Sequence, residues 1–275
     1  MRDELGDRMK KNYENRTRNL LPRRTYTMIR VDGKAFHTYT RGLERPFDAG
    51  LIEDMNATAA YLCKNIQGAK IGFVQSDEIS ILMTDFDKLD TDAWFDGNIQ
   101  KIVSVASSMA TAKFNQLRLL RHIIDGYDGG SGIVTITPRF MDGLENLPLA
   151  EFDARTFTIP SKTEVMNYMV WRQQDTVRNS ISSVAQNLYS SKELHGKNSS
   201  EQQEMIFQKG INWNDYDSTL KRGRFVFKEE VDMETEFKGK EFKQTSYKRN
   251  VWVARGCPTF TQEPLFLELF IPEME

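Results

Sequence analysis

Cysteine is nearly absent from this 275-residue chain, and the two that occur, Cys63 and Cys257, share no motif spacing. That excludes a disulfide framework and a cysteine zinc site. Three histidines are too few for a histidine-rich metal cage. No apolar run approaches the roughly eighteen residues that would suggest a membrane span. The N-terminal MRDELGDRMKKNYENRTRN has no apolar h-region, so no secretory signal is expected there, and the reducing cytoplasm is the expected compartment. Charge of one sign is lacking too. Thirty-seven Lys and Arg stand against thirty-nine Asp and Glu, a net charge of −2, which is not the overall signature of a nucleic-acid protein. An RNA partner would need local basic patches, for which Arg16/Arg18/Arg23/Arg24, Lys221/Arg222/Arg224 and Lys243/Lys248/Arg249 are the candidates. Any one of these runs, taken alone, reads better as solvated surface.

What is present is a 39% hydrophobic fraction, enough for a substantial core, arranged with clear periodicity. Residues 3–20 read as a polar helix, and 24–32 as a strand ending at Asp32-Gly33. A helix follows at 47–67, then strands at 69–75 and 79–84 separated by Ser76-Asp77-Glu78. A helix at 98–120 and a strand at 150–159 complete the pattern. The order strand, helix, strand, strand, helix, strand predicts an α+β fold, a ferredoxin-like split βαβ. Beyond it come a long helix at 161–190, a short one at 200–208, and a small strand pair near 223–230 and 247–254. The apolar tail from Pro258 is expected to pack on the body or on another subunit. The glycine-rich stretch Asp125–Gly132 reads as a mobile loop. The expected division is a catalytic core at 1–160 and an extension at 161–275 packed on it, together one structural unit.

The split βαβ has a consequence for chemistry. Its first and second strands run parallel with the third between them. The C-terminal end of strand one therefore shares an edge with the turn joining strands two and three. Asp32 sits at the first place and Asp77 at the second, so carboxylates distant in sequence should converge, with Glu78 beside them. Unpaired carboxylates so close raise one another's pKa, and a hard divalent cation such as Mg2+ relieves the repulsion. Two ions bridged by two aspartates form a clamp for in-line attack at phosphorus. The glycine of Asp32-Gly33 would let backbone approach the ion. On topology alone, a plain strand end at Asp32 and an ordinary turn at Ser76-Asp77 fit equally well.

Longer strings add to this. RVDGKAFHTYT (30–40), QSDEISILM (75–83), FDAR (152–155), YMVWRQQDTVRNS (168–180) and EQQEMIFQKGINWN (201–214) occur in that order. Together they resemble the tRNA(His) guanylyltransferase family and its "like" proteins, the 3′-to-5′ nucleotide-adding polymerases, over roughly residues 5–225. The resemblance implies a polymerase palm with added helices and a small C-terminal strand region. It implies ATP and GTP as substrates, tRNA as partner, two Mg2+ ions, and a homotetramer built as a dimer of dimers. ATP would adenylylate a 5′-monophosphate. The 3′-hydroxyl of an incoming triphosphate would then attack the activated phosphate and release AMP. A 5′-triphosphorylated end would skip the first step.

By the same resemblance the metal ligands fall on Asp32, the Gly33 carbonyl and Asp77, with Glu78 a further catalytic candidate. Lys34, Ala35, Phe36 and His37 match the segment that wraps the triphosphate. Arg45 stands where relatives often carry a lysine that helps activation. Ser76 and Asn179 match positions near the activated nucleotide, and Lys101 matches a phosphate-contacting lysine. Trp171 is expected in the core, Arg172 as an ion-pair partner of Asp175, and Asp153 in a structural role. A nucleotidyl cyclase-like palm would share the two aspartates but not the strings within 161–214, and a non-catalytic tRNA-binding protein would be expected to lose the carboxylates. One departure stands out. Strict tRNA(His) enzymes carry His-Ile-Asn-Asn where this chain has Val177, Arg178, Asn179 and Ser180. This resembles the "like" branch, whose members favour templated repair of 5′-truncated tRNA.

Overall fold

The structure, a computed structural model, describes residues 3–125, 145–238 and 242–274. It is a mixed α+β fold built on a six-stranded sheet in the order β4-β1-β3-β2-β5-β6. The strands are β1 (Tyr26–Gly33), β2 (Ala69–Gln75), β3 (Glu78–Met83), β4 (Phe152–Ile159), β5 (Arg224–Lys238) and β6 (Phe242–Gly256). Every neighbouring pair is antiparallel. β1 therefore runs parallel to β2 with β3 between them.

Strand alternation sorts the sheet into two faces. On one face Ile29 and Val31 of β1, Val74 of β2 and Ile79 and Ile81 of β3 join a buried cluster with α2 (Ala49–Asn65) and α3 (Ile99–Asp125). Met55, Ala59 and Leu62 of α2 and Ile102, Ala106, Ala110 and Phe114 of α3 supply the covering stripes at helical spacing. Asp48 caps α2, its carboxylate accepting from the Leu51 N–H at 2.7 Å. On the other face Tyr26, Met28, Ile71, Phe73 and Leu82 pack against Val165 and Met169 of α4 (Lys162–Leu188). The tail joins that second cluster through Phe260, Leu267 and Ile271, so it packs on the body of its own chain.

Most elements lie within a few residues of the predicted bounds, and the exceptions have physical reasons. The N-terminal helix, α1 (Glu4–Asn12), is shorter than 3–20 because it buries no residue and runs into the weak helix formers Asn12 and Asn15. The C-terminal strands are twice the predicted length. Only Arg224–Val226 pair with β2, while β5 and β6 pair with each other from Arg224↔Gly256 to Lys238↔Phe242. Their outer part is rich in charge, which hid the strand period. Of the glycine-rich stretch Asp125–Gly132, Asp125 ends α3 and the rest lies outside the described residues. No described helix is long and apolar enough to cross a membrane.

Candidate active site

The sheet alternation that puts Tyr26 and Met28 on the α4 face carries Arg30 and Asp32 to the same face. Glu78 and Ser80 of β3 and Gln75 of β2 follow suit. Asp32 is the register partner of Glu78 on one side and of Asp153 on the other. Ser76 and Asp77 form the two-residue turn between Gln75 and Glu78, with Ser76 in the left-handed region at φ 43°. The Gly33 N–H donates to the Asp77 carbonyl at 3.1 Å. That bond ties the end of β1 to the β2–β3 turn, so the two aspartates share one sheet edge.

Burial pushes the Asp77 carboxyl up to about 6, and the nearby Asp32 and Glu78 push the same way, against hydrogen bonds from its own backbone and Ser76 that hold it down. A cleft of about 370 Å³ opens over this edge, lined by Arg30, Asp32, Asp77, Glu78, Trp171 and Asn179 among others. The donor set, two carboxylates beside a backbone carbonyl, suits a hard cation that keeps water and phosphate as its remaining ligands. Among the described residues no group of three or more His, Cys, Asp or Glu side chains is gathered as a metal cage.

Glu78 differs from the other two. It is buried and accepts from Arg172 Nε at 2.7 Å and Nη2 at 2.5 Å, a bidentate pair. Arg172 also donates to Asp175 at 3.0 Å, as expected from the sequence. Burial works against its charge, but Glu78 and Asp175 more than offset this and hold its pKa above the ordinary value. Burial likewise works against the charge of Asp175, which Arg178 and Arg172 nevertheless hold below the usual carboxylate range. Thr176 Oγ1 donates to Gln75 Oε1 at 2.6 Å, and Tyr168 and Ser80 hydroxyls lie 3.3 Å apart. Tyr168, Arg172 and Thr176 thus clamp α4 over this edge, and Asn179, next on the same helix stripe, lines the cleft. Sequence reasoning named only Asn179 from this stripe as a site residue. The signal available was its three-to-four-residue spacing.

Beside the cleft, and sharing Gln75, Ser76 and Asn179 with it, is a cavity of about 260 Å³. His37, Arg45, Ser76 and Asn179, four of the expected nucleotide residues, all line it. Ala35 turns the chain out of β1 with φ 52°, and Phe36 is buried against Phe114 and Phe152. A Cβ on Gly33 would fall 2.2 Å from the Phe36 ring, so the glycine is what lets Phe36 seat and the following segment bend over the edge. Lys34 points elsewhere, pairing with Glu151 at 2.5 Å beside Asp153.

Lys101 lies away from the carboxylates. Its neighbour Ile102 lines a small cavity with Leu21, Thr27 and Met83, at the sheet edge opposite Asp32, because α3 starts there and runs back along β4. Trp171 is not in the core but 46% exposed on the rim of the carboxylate cleft, since α4 buries Arg172 and turns Trp171 outward. The basic runs are also less available than their sequence suggests. Arg23 pairs with Asp85 at 2.6 Å, Arg24 donates to the Leu89 carbonyl at 2.7 Å, Lys248 pairs with Glu230 at 2.6 Å, and Lys221 and Arg224 are buried.

Two aspartates at one sheet edge beside this cavity are an arrangement suited to nucleotidyl transfer, and comparison with known proteins assigns the class. Residues 6–160 match the family model described as Thg1, tRNAHis guanylyltransferase, and the chain belongs to that family of nucleotidyltransferases. It is 28% identical over 254 residues to the tRNA(His) guanylyltransferase of Schizosaccharomyces pombe, covering 88% of this chain and 87% of that one. An uncharacterized protein of Acanthamoeba polyphaga mimivirus is 30% identical over 200 residues, and the match spans 68% of this chain and 64% of the viral protein. Two solved structures of a bacterial tRNA(His) guanylyltransferase (Thg1)-like protein, one in complex with ATP and one with GTP, are 39% identical. They cover 98% of this chain and 99% of theirs, with TM-scores of 0.77 and 0.69.

Proposed function

We propose that the chain is a template-directed 3′-to-5′ polymerase acting on the 5′ end of tRNA, its sheet serving as a polymerase palm of the split βαβ type. The observation that carries this reading is the convergence of Asp32 and Asp77 at one edge beside the cavity lined by His37, Arg45, Ser76 and Asn179. ATP and GTP are the nucleotides, in line with the bacterial relative whose structures are described in complex with each. Two Mg2+ ions held by Asp32, Asp77 and the Gly33 carbonyl would supply charge neutralisation and a clamp on the attacking and leaving oxygens.

The residues of the chain do the rest. His37, Arg45, Ser76 and Asn179 hold the triphosphate of ATP while the 5′-monophosphate of the tRNA displaces pyrophosphate. The 3′-hydroxyl of the next triphosphate then attacks the activated 5′ phosphate and AMP leaves. Glu78 serves as a positioning residue, because both its oxygens are engaged by Arg172. We place the protein in a homotetramer, as the family resemblance implies.

Choice of the added base follows from α4. Val177 packs against the apolar cluster around Ile181 and Trp213. Ser180 is buried and accepts from the Trp213 indole at 3.0 Å. Arg178 pairs with Asp175 at 2.9 Å. None of the three is a free group suited to reading guanine, so pairing with the opposing template base makes the choice. Single-turnover addition to 5′-truncated tRNAs that differ only in that base is expected to place G opposite C at least about tenfold faster than opposite A, on tRNAs of more than one identity. Equal addition opposite both, confined to tRNA(His), would refute templating.

A further inference from the structure

Arg224 opens β5, and its backbone pairs with Val74, two residues before Ser76. Alternation along β5 sets it on the α2 face. There Nε donates to Asn56 Oδ1 of α2 at 2.8 Å and Nη1 reaches the Thr219 carbonyl at 3.5 Å. The residue is 5% exposed. Nη2 is buried and has no hydrogen-bond partner, and no ion pair to Arg224 occurs among the described residues. Among the described residues, the acidic side chains on the cavity wall it shares are Glu44 and Asp48. Asp48 is committed to the Leu51 and Glu44 N–H groups, and Glu44 is exposed.

A buried cation without a counter-ion is costly, and a protein keeps one when something else completes it. Burial pulls the Arg224 pKa down to about 10, which leaves it charged at neutral pH. A neutral base would offer it a dipole only, whereas a phosphate oxygen offers full charge to the unpaired Nη2. Asn56 already fixes the orientation of the fork. A purely structural brace between β5, α2 and the 218–222 helix would use Nε and Nη1 and would have no need of the charge.

We propose that Arg224 is the buried cation that receives the polyphosphate of the nucleoside triphosphate in this cavity, a role that rests on the nucleotide reading above. The test compares wild type, Arg224→Met and Arg224→Lys, with binding of Mg·ATP, Mg·GTP, tripolyphosphate and guanosine read by calorimetry and by thermal shift. Wild type is expected to bind both triphosphates and tripolyphosphate. Arg224→Met should melt at or above wild type without ligand and lose at least tenfold in affinity for all three, with its response to guanosine unchanged. Arg224→Lys should keep part of the tripolyphosphate binding, and it carries the comparison if the methionine variant does not fold. Equal triphosphate affinity in wild type and Arg224→Met, or an Arg224→Lys protein with no tripolyphosphate binding left, would overturn the proposal. Loss confined to guanosine would move the contact to the base and overturn it as well. Wild type that binds no triphosphate would instead remove the nucleotide reading, and this proposal with it.

Discussion

Asp77→Asn is expected to lower nucleotide addition at least about a thousandfold, on the order of 4 kcal/mol of transition-state stabilisation, while raising the melting temperature of the metal-free protein. The two effects share one cause. The Asp77 carboxyl is held at about 6 in the fold, by burial first and then by the field of Asp32 and Glu78. A carboxyl raised in this way contributes stability that is fully present below its unfolded value, near pH 4, and is lost as pH rises through 6. At pH 7.5 it is ionised and destabilising, by at most about 3 kcal/mol for a shift of this size. Asparagine removes that charge, so the metal-free variant should melt a few degrees higher at pH 7.5 and no higher at pH 4. Mg2+ should stabilise wild type and leave the variant unmoved. Asp32→Ala should lose activity to the same degree. If either variant kept a tenth of wild-type addition, it would not belong in the reacting centre.

The Glu78–Arg172 pair is expected to give the largest change in stability. Both side chains are buried, so removing Arg172 strands Glu78, and removing Glu78 leaves the guanidinium with Asp175 as its remaining carboxylate. Glu78→Ala leaves the Arg172 guanidinium near Arg30, whose Nε makes no hydrogen bond and loses its ion pair with Glu78 at 3.8 Å. The expected loss is about 3–5 kcal/mol, or roughly 10 °C in melting temperature for a chain of this size. Glu78→Gln combined with Arg172→Met should recover a large part of that stability, yet it should not recover addition, because α4 would no longer be pinned over the catalytic edge. Denaturation of the single and double variants measures the coupling. A Glu78→Ala protein as stable as wild type would show that the pair does not hold the helix.

Strand and helix periods were legible along most of the chain, and with them the edge at which Asp32 and Asp77 meet, because one residue at a strand end and one at a turn suffice to place both. Partners remote in sequence were not. Arg172 was expected to pair with Asp175, three residues on, since helical spacing makes that contact visible. Its bond to Glu78, 94 residues away, depends on the angle at which α4 crosses the sheet, which no local pattern encodes. Trp171 was misplaced for the same reason. An aromatic in a helical string reads as core until the buried stripe is known, and here the stripe passes through Val165, Met169, Arg172 and Thr176. Lys101, matched by family position alone, sits at a helix start a full strand length from the carboxylates, a placement no local pattern encodes. Arg224 was grouped with a surface patch because burial of a charge cannot be seen in sequence.

In the proposed reaction the RNA grows at its 5′ end. A 5′-truncated tRNA carrying a labelled 5′-monophosphate, incubated with the protein, Mg2+, ATP and GTP, tests it most directly. The label is expected to become resistant to phosphatase, first as an adenylylated end when ATP alone is present and then within an internal phosphodiester when GTP is added opposite C. Asp77→Asn should do neither. A label that stays phosphatase-sensitive, or nucleotides gained only at the 3′ end, would contradict the account.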